Sequence, residues 1–292
     1  MKIELFLGDR AFHSRYGKNL SAERIGELMR YAADKGLVGL AAGEERSLGL
    51  AAEVKKNHPH LKIMYHTDIA FVIAYTHRGR CISSPDTACA GLKKEIIRRG
   101  LHSDVFNDKI TGKFLDSEAC RKVMPLDINS LEYYKEGEEN NLELIQRFKP
   151  DCVSIGGDVL DCAVYQGMDE ALTKKVRGFI GAVRERAADC LLTSYILPMA
   201  DYSALDDLFN GYLVPYNALG GGLLPNPSAA EEWLKKQNKP IFAMHMLHEG
   251  KIHPYTAFGD AHEAGFIRGA VIGASSEKQI DSLVEAWKRW NS

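Results

Sequence analysis

Short apolar runs alternate with amphipathic stretches along most of this 292-residue sequence. The amphipathic stretches carry apolar side chains every three to four residues, as Glu170–Ala187 does, which is typical of helices that pack one face on a core. The apolar runs are too short for such helices and are typical of buried strands. The runs predicted as strands are Ile3–Leu7, Leu37–Ala42, Leu61–His66, Asp151–Ile155, Cys190–Ile196, Gly211–Tyr216, Ile241–His245 and Gly269–Ile272. Their alternation with helices predicts an α/β protein, a single closed (β/α)8 barrel of the TIM type.

The alternation is interrupted once, after the third predicted strand, between about residues 74 and 135. We predict one domain over residues 1–292 that carries this segment as a helical insertion. Within it, Asp86–Arg99 has a helical pattern, whereas Arg78–Asp86 is rich in turn-forming residues and is typical of a loop. A connection of ~60 residues is too long to be idle. It is either a lid over the catalytic face of the barrel or an extra helical layer packed against it.

Composition narrows the class of partner. A net charge of −2 gives no electrostatic reason to expect nucleic acid or an acidic membrane, so a small-molecule ligand is the expected partner. No apolar run reaches the roughly 18 residues of a membrane-spanning helix, and the first residues lack the pattern of a signal peptide. The six cysteines are scattered without a C-x-x-C pair, which predicts a cytoplasmic protein without disulfides or a cysteine zinc site. The oligomeric state stays open.

In a barrel of this kind, functional side chains lie at the carboxyl ends of the strands. His66 ends the third predicted strand and Asp68 follows it, so this pair could act as general acid and base. Glu44 and Asp158 stand at two other strand ends and are candidates for the same chemistry. The structural alternative for His66 is a histidine that is hydrogen-bonded at the barrel rim.

The same strand ends also offer ligands for a divalent metal. Glu44, His66, Asp158 and His245 together would supply the carboxylate and imidazole groups that such ions bind. No H-x-H or H-E-x-x-H motif accompanies them, so ordinary packing of His245 is the alternative.

The last predicted strand leads into a small-residue turn and a helix that opens at Ser276. Backbone N–H groups and the helix dipole favour an anion at such a helix start. A phosphate could therefore bind at Gly273, Ser275, Ser276 and Lys278. The spacing from Ser276 to Gln279 also fits a capping box, which needs no ligand.

Several segments resemble the aldo/keto reductase superfamily. Val271–Leu283 is similar to its last strand and cofactor-phosphate loop, Pro215–Leu219 to its sixth-strand segment, and Ala243–Gly250 to its seventh-strand loop. Tyr31–Leu40 resembles its first helix-to-strand connection. The resemblance implies a TIM barrel and an NADP cofactor, with the nicotinamide stacked on Tyr216 and a phosphate bound in the loop that begins at Gly273.

The resemblance does not extend to the family's catalytic tetrad. The family uses an aspartate at the end of strand 2, a tyrosine soon after it, a lysine at the end of strand 3 and a histidine at the end of strand 4. Here Ala41 stands at the aspartate position, His66 at the lysine position and Gly156 or Gly157 at the histidine position. Without a visible proton donor beside the hydride acceptor, classical carbonyl reduction is not expected.

Three hypotheses follow. The first is an enzyme of diverged chemistry that acts on a small phosphorylated or carbonyl-containing molecule, with acid/base or metal groups at the strand ends. The second is an NAD(P)-dependent reductase in which His66 has become the proton donor. The third is a non-catalytic ligand-binding protein on the same barrel, which the bare strand end at Ala41 keeps open.

Overall fold

The protein closes eight parallel strands into a barrel with helices between them, as a computed structural model shows. It describes residues 2–12, 19–67, 73–77, 80–82, 131–133, 135–156, 160, 164, 168–187, 189–193, 202–220 and 227–292. The barrel strands are β1 (Glu4–Gly8), β2 (Gly39–Ala42), β3 (Lys62–Thr67), β7 (Cys152–Gly156), β8 (Asp189–Thr193), β9 (Gly211–Pro215), β10 (Ile241–Met244) and β11 (Ile267–Gly273). Their order around the barrel is β1-β11-β10-β9-β8-β7-β3-β2, so every strand has two neighbours. The predicted (β/α)8 barrel is confirmed.

Helices follow most of the strands and cover the outside of the barrel. They are α1 (Ala22–Asp34), α2 (Glu45–Asn57), α3 (Lys135–Phe148), α4 (Glu170–Arg184), α5 (Pro227–Lys235), α6 (Pro254–Ala264) and α7 (Glu277–Asn291). Short 3-10 helices are formed by Asp9–Phe12, Asp206–Leu208 and His248–Gly250. No helix in the described ranges is both long and apolar enough to cross a membrane.

Two helices went unrecognised in the sequence. α3 lies where the predicted insertion ends, and its run of Glu and Asn residues hides the apolar face formed by Leu144 and Ile145. α6 begins at a proline and ends at Gly265, which adopts a left-handed conformation with φ 76°. Both helices complete the alternation, because α3 precedes β7 and α6 precedes β11.

The described part of the insertion is a small antiparallel sheet. β4 (Ile73–His77) pairs with β5 (Arg80–Ile82) and with β6 (Leu131–Tyr133). The expected loop from Arg78 therefore contains a strand, because Arg80–Ile82 finds a hydrogen-bonding partner in β4. The helix predicted at 86–99 lies outside the described residues.

The strands bury both of their faces, which explains why they read as continuous apolar runs. One core lies between the strands and the helices. A second, smaller core fills the barrel interior with six buried side chains: Phe6, Ala41, Met64, Leu191, Leu213 and Met244. This interior layer fills the barrel with side chains, so the barrel is not a channel. Interior side chains nearer the carboxyl ends of the strands lie at the end of the barrel where functional sites are found.

Candidate functional site

A polar layer follows the apolar layer inside the barrel, on the side where the strands end. Successive side chains of a strand point to opposite faces, so residues two positions apart share a face. Met64 points into the barrel, and so therefore does His66 on β3. The same alternation carries Leu191 to Thr193 on β8. On β7 it carries Cys152, which packs against the interior layer, to Ser154.

These side chains form one chain of hydrogen bonds. The guanidinium Nη2 of Arg10 lies 3.3 Å from His66 Nε2. His66 Nδ1 lies 3.1 Å from Ser154 Oγ, and Ser154 Oγ contacts Thr193 Oγ1. Ser154 and Thr193 are fully buried, whereas His66 is partly exposed. The chain thus connects the interior of the barrel to its open end.

The side chain of the preceding residue, Asp9, helps to hold Arg10 at this end. The 3-10 helix Asp9–Phe12 follows β1 directly, and Asp9 is buried. The backbone N–H of Gly43 donates to Asp9 Oδ2 at 2.9 Å, which ties the segment after β1 to the segment after β2. Arg10 is therefore carried on a short helix that continues β1 and is hydrogen-bonded to the segment after β2.

His245 follows β10 and belongs to the same end of the barrel. Its backbone is left-handed, with φ 58°, which is uncommon for a residue with a side chain. Burial lowers the pKa of its imidazole to about 4, and the nearby charges of Arg10 and His66 contribute in the same direction. By surface area, however, the residue is exposed. The two observations agree if the ring lies in a cleft that protein surrounds and solvent enters. Because the pKa lies below 7, His245 is a neutral imidazole at pH 7.

The end of β7 requires a glycine. Gly156 has φ 144°, and a Cβ at this position would overlap the backbone carbonyl oxygen of Thr193. Only glycine allows β7 and β8 to approach each other so closely here. The close approach brings Thr193 within reach of Ser154. Gly156 is thus required by the packing of β7 against β8.

The structure brings together some of the predicted site residues. His66 and His245 share the barrel mouth, by which we mean the open end that also holds Arg10, Ser154 and Thr193. Glu44 is exposed and is the N-cap residue of α2, although its side chain makes no capping bond. Asp68 and Asp158 lie outside the described residues. Their predicted acid/base chemistry stays a prediction.

The metal site also stays a prediction. Within the described ranges, no group of three His, Cys, Asp or Glu side chains could hold a metal ion. The predicted ligand set includes Asp158, which those ranges do not contain.

The predicted phosphate loop forms a well-capped helix start. Ser276 Oγ accepts from the backbone N–H of Gln279, the first bond of a capping box. Gln279 Oε1 accepts from both the backbone N–H of Ser275, at 2.8 Å, and its hydroxyl, at 3.1 Å. Gly273 ends β11, and Lys278 is exposed on the first turn of α7. The donors that Ser275 would offer an anion are thus used within the loop.

Tyr216 lies on the outside of the barrel rather than at its mouth. It belongs to the core between strands and helices, and its ring packs edge-on against Phe266, with 5.5 Å between centroids. Burial raises the pKa of its hydroxyl, and the carboxylates of Glu231 on α5 and Asp260 on α6 raise it further. The stacking of a nicotinamide on this ring, which the resemblance implies, stays a prediction.

Sequence reasoning missed Ser154 and Thr193. Ser154 stands inside the apolar run Val153–Ile155, and Thr193 directly follows the apolar run Cys190–Leu192 at the end of β8. A polar residue at an interior position of a barrel strand was the available signal. That the two hydroxyls meet His66 depends on the strand register, which pairs His66 with Ser154.

Comparisons with known proteins support the fold. No protein family and no curated protein matches the sequence. The holo form of the aldo-keto reductase AKR11C1 from Bacillus halodurans matches the structure with a TM-score of 0.57 and 8% identity, over 99% of this chain and 92% of that chain. A Pseudomonas aeruginosa protein assigned to the aldo-keto reductases matches with a TM-score of 0.56 and 13% identity, over 99% and 91%. The resemblance to these reductases is confirmed for the fold.

The barrel is shared with proteins of other activities. A GH113 β-1,4-mannanase matches with a TM-score of 0.51 and 11% identity, over 100% of this chain and 99% of that chain. At such identities the likeness shows a common barrel alone, and the reaction has to be argued from the site.

Proposed function

We propose that this protein is an enzyme that acts at the barrel mouth on a small molecule with an acidic or carbonyl group. His66 exchanges a proton with the substrate through Nε2, and Arg10 binds the substrate's acidic or carbonyl oxygen. The observation that carries the proposal is the 3.3 Å contact between Arg10 Nη2 and His66 Nε2. It places a permanent cation and a titratable base side by side at the end of the barrel where TIM-barrel chemistry occurs.

The two side chains have complementary chemistry. A guanidinium keeps its charge at all physiological pH values and matches a carboxylate or phosphate with parallel hydrogen bonds. An imidazole exchanges protons near neutral pH, the property that general acid–base catalysis requires. A substrate oxygen bound to Arg10 would bring the neighbouring carbon or hydroxyl within reach of His66. Arg10 would also stabilise the negative charge that develops on this oxygen as a proton leaves.

Substrate binding also frees the base. In the structure described here, Arg10 donates to His66 Nε2 and so occupies the lone pair that would accept a proton. An anionic group competes for the guanidinium, because its charge makes it the stronger acceptor. Nε2 then becomes available only when a substrate is present.

A nicotinamide cofactor is the second candidate, because aldo-keto reductases are among the proteins that share this fold. Two features of the described residues fit it poorly. A phosphate at the start of α7 would have to displace Gln279 from Ser275 and lie close to the Glu277 carboxylate, which pairs with Arg24 at 2.5 Å. Tyr216 is buried beneath the helices. We therefore route no step through a nicotinamide.

The proposal is tested by hydrogen exchange and turnover. The protein is incubated in D2O with a panel of two- to four-carbon keto acids, hydroxy acids and their phosphate esters, each with and without NADP or NADPH, and the reactions are followed by proton NMR. We expect deuterium incorporation or product formation with at least one member without nicotinamide. His66→Gln should lower that rate by about 10²- to 10⁴-fold, the usual contribution of a general acid or base.

Matched variants identify the site. His58→Gln makes the same change at the opposite end of the barrel, beside Asp34, and should leave the rate unchanged. Arg10→Gln should raise KM more strongly for anionic members of the panel than for neutral ones. Turnover that appears only with NADPH would favour the reductase hypothesis. Tight binding of a panel member without any turnover would favour the non-catalytic one.

A further inference from the structure

Two hydroxyl side chains lie inside the barrel beneath His66, at positions where packing alone would favour apolar residues. Ser154 and Thr193 are fully buried, and the layer next to them consists of Met64, Leu191 and other apolar side chains. Burial of a hydroxyl is unfavourable unless it is hydrogen-bonded. Alanine and valine would fill similar volumes without this cost. The hydroxyls therefore call for a role that depends on their hydrogen bonds.

The chemistry of the donors fixes the direction of every bond in the chain. A guanidinium can donate and cannot accept, so in its contact with Arg10 the Nε2 atom of His66 is the acceptor and carries no proton. The ring proton is then on Nδ1, which donates to Ser154 Oγ. Ser154 Oγ has its own proton left, which it can donate to Thr193 Oγ1. Each group thus has one consistent role.

We infer that Ser154 and Thr193 are positioning residues that hold His66 as its Nδ1–H tautomer, with the Nε2 lone pair directed to the barrel mouth. The hydrogen bond at one ring nitrogen decides which nitrogen of a histidine carries the proton. Ser154 provides that bond, and Thr193 holds the Ser154 hydroxyl in the orientation that accepts from Nδ1. The consequence for catalysis rests on the proposed function, whereas the tautomer itself does not.

The strand geometry supports this assignment. His66 and Ser154 are direct partners in the register of β3 and β7, so their side chains start from neighbouring positions on the same face. Gly156 allows β8 to approach β7 at the level of Thr193. The three side chains thus project from rigid strands rather than from loops, which favours a fixed ring orientation.

The test reads the tautomer directly. Protein labelled with ¹⁵N in its histidine rings is examined by long-range ¹H–¹⁵N correlation NMR at neutral pH, and the His66 signals are identified by their loss in His66→Gln. The wild type should show the Nδ1–H tautomer. Arg10 also favours this tautomer, because it can only donate to Nε2, so the Ser154 and Thr193 variants are compared in an Arg10→Gln background. In that background, Ser154→Ala should shift the ring toward the Nε2–H tautomer, because Nδ1–H loses its acceptor. An Nε2–H tautomer in the wild type would overturn the inference, and so would an unchanged tautomer when Ser154→Ala is added to Arg10→Gln.

The protein offers a control variant and a second test variant. Ser47 is also a fully buried serine, and its Oγ has no hydrogen-bond partner in the described part of the chain, so Ser47→Ala should leave the His66 signals unchanged. Should Ser154→Ala fail to fold, Thr193→Val removes the next hydrogen bond of the series, the one between Ser154 and Thr193. Thr193→Val should shift the tautomer partly, and Thr193→Ser, which retains the hydroxyl, should restore it. Unchanged His66 signals when Thr193→Val is added to Arg10→Gln would also overturn the inference.

Kinetics separate this inference from the proposed function. With any substrate found in the panel, Ser154→Ala should lower kcat by about 10- to 100-fold, the range measured for residues that orient metal-bound histidines, while KM stays nearly constant. If the panel gives no turnover but the wild type shows the Nδ1–H tautomer and Ser154→Ala loses it in the Arg10→Gln background, the inference holds and the proposed function fails. A folded Ser154→Ala protein with wild-type kcat would contradict the positioning role.

Discussion

The two ends of the barrel use their charged side chains differently. At the amino end of the strands, Lys55 donates to the Asp151 carboxylate, which also accepts from the backbone N–H of Ile63 at 2.7 Å. At the mouth, the Arg10 guanidinium donates to an imidazole nitrogen, His66 Nε2. The first arrangement joins opposite charges to the backbone of a strand. The second joins a cation to an uncharged nitrogen of an imidazole.

The contrast indicates which end of the barrel stabilises the fold and which end carries the proposed activity. A carboxylate that binds both a lysine and a strand N–H fixes the position of a strand. Lys239, Asp206 and Tyr212 form a second such group near the start of β9, where Asp206 accepts from both other side chains. An arginine that donates to an imidazole can exchange this acceptor for an anionic one, which binds the guanidinium more strongly. This agrees with the general division in TIM barrels between a stabilising and a catalytic end.

The largest effect on stability is expected from Gly156→Ala at the mouth. Its positive φ would strain an alanine, by ~1–3 kcal/mol, and the new Cβ would overlap the Thr193 carbonyl, which adds about 1–3 kcal/mol. Urea unfolding should report the loss. Gly178→Ala on the open surface of α4, where a Cβ meets no atom, is the control and should stabilise by about 0.5–1 kcal/mol. Equal stabilities of the two variants would show that the mouth does not depend on this close approach.

Asp151→Ala should come next, with a loss of about 1–3 kcal/mol in the free energy of unfolding, because the Ile63 N–H and the Lys55 ammonium lose their acceptor. Asp151→Asn keeps an oxygen for Ile63 and should cost less. For both variants, kcat should stay at the wild-type value. A lower kcat with little loss of stability would break the proposed division between the two ends.

His245 gives the mouth a predicted response to pH. Its pKa is lowered from 6.5 to about 4 in the folded protein, so the unfolded chain takes up a proton first as the pH falls through this window. Stability contributed by the neutral ring is present above pH 6.5 and is lost toward pH 4. The melting temperature should therefore fall less between these pH values in His245→Asn, in which asparagine tolerates the left-handed backbone. An identical fall in both proteins would place His245 outside the cleft.

The smallest effect is expected at an exposed pair of the amino end. Lys62 lies 2.9 Å from Glu4, and both side chains are more than a third exposed. Lys62→Met should change the free energy of unfolding by less than about 1 kcal/mol, the usual limit for a surface ion pair. A larger loss would mean that the amino end depends on its whole charge network rather than on the contacts of Asp151.

Much of the barrel was predictable because its strands are short apolar runs that end at polar residues. α3 was not predicted because its first half is rich in Glu and Asn, which weakens the apolar periodicity. α6 was not predicted either, although its start at Pro254 and its end at Gly265 are typical helix boundaries. The insertion was predicted as helical from local spacing. Its described strands depend on pairing with β4, which no local pattern reveals.

The candidate site was predictable only in part. His66 stands at the end of a strand, so its position at the mouth follows from chain order. Its partners do not, because Arg10, Ser154 and Thr193 reach it from three other strands or segments. For Tyr216, the end of the strand was predicted but the face was not. A shift of one residue along a strand turns a side chain from the barrel interior to the helices, and Tyr216 belongs to the core against the helices.

Closure of the barrel has a consequence for synthesis on the ribosome. β1 pairs on one side with β2, which follows it closely, and on the other with β11 near the far end of the chain. Trp287 and Asn291 on α7 both donate to the carbonyl oxygen of Ile3 and hold the start of β1 in place. Until these late segments emerge, one edge of β1 is open to pairing with other chains. We expect nascent chains that stop before residue 267 to require a chaperone.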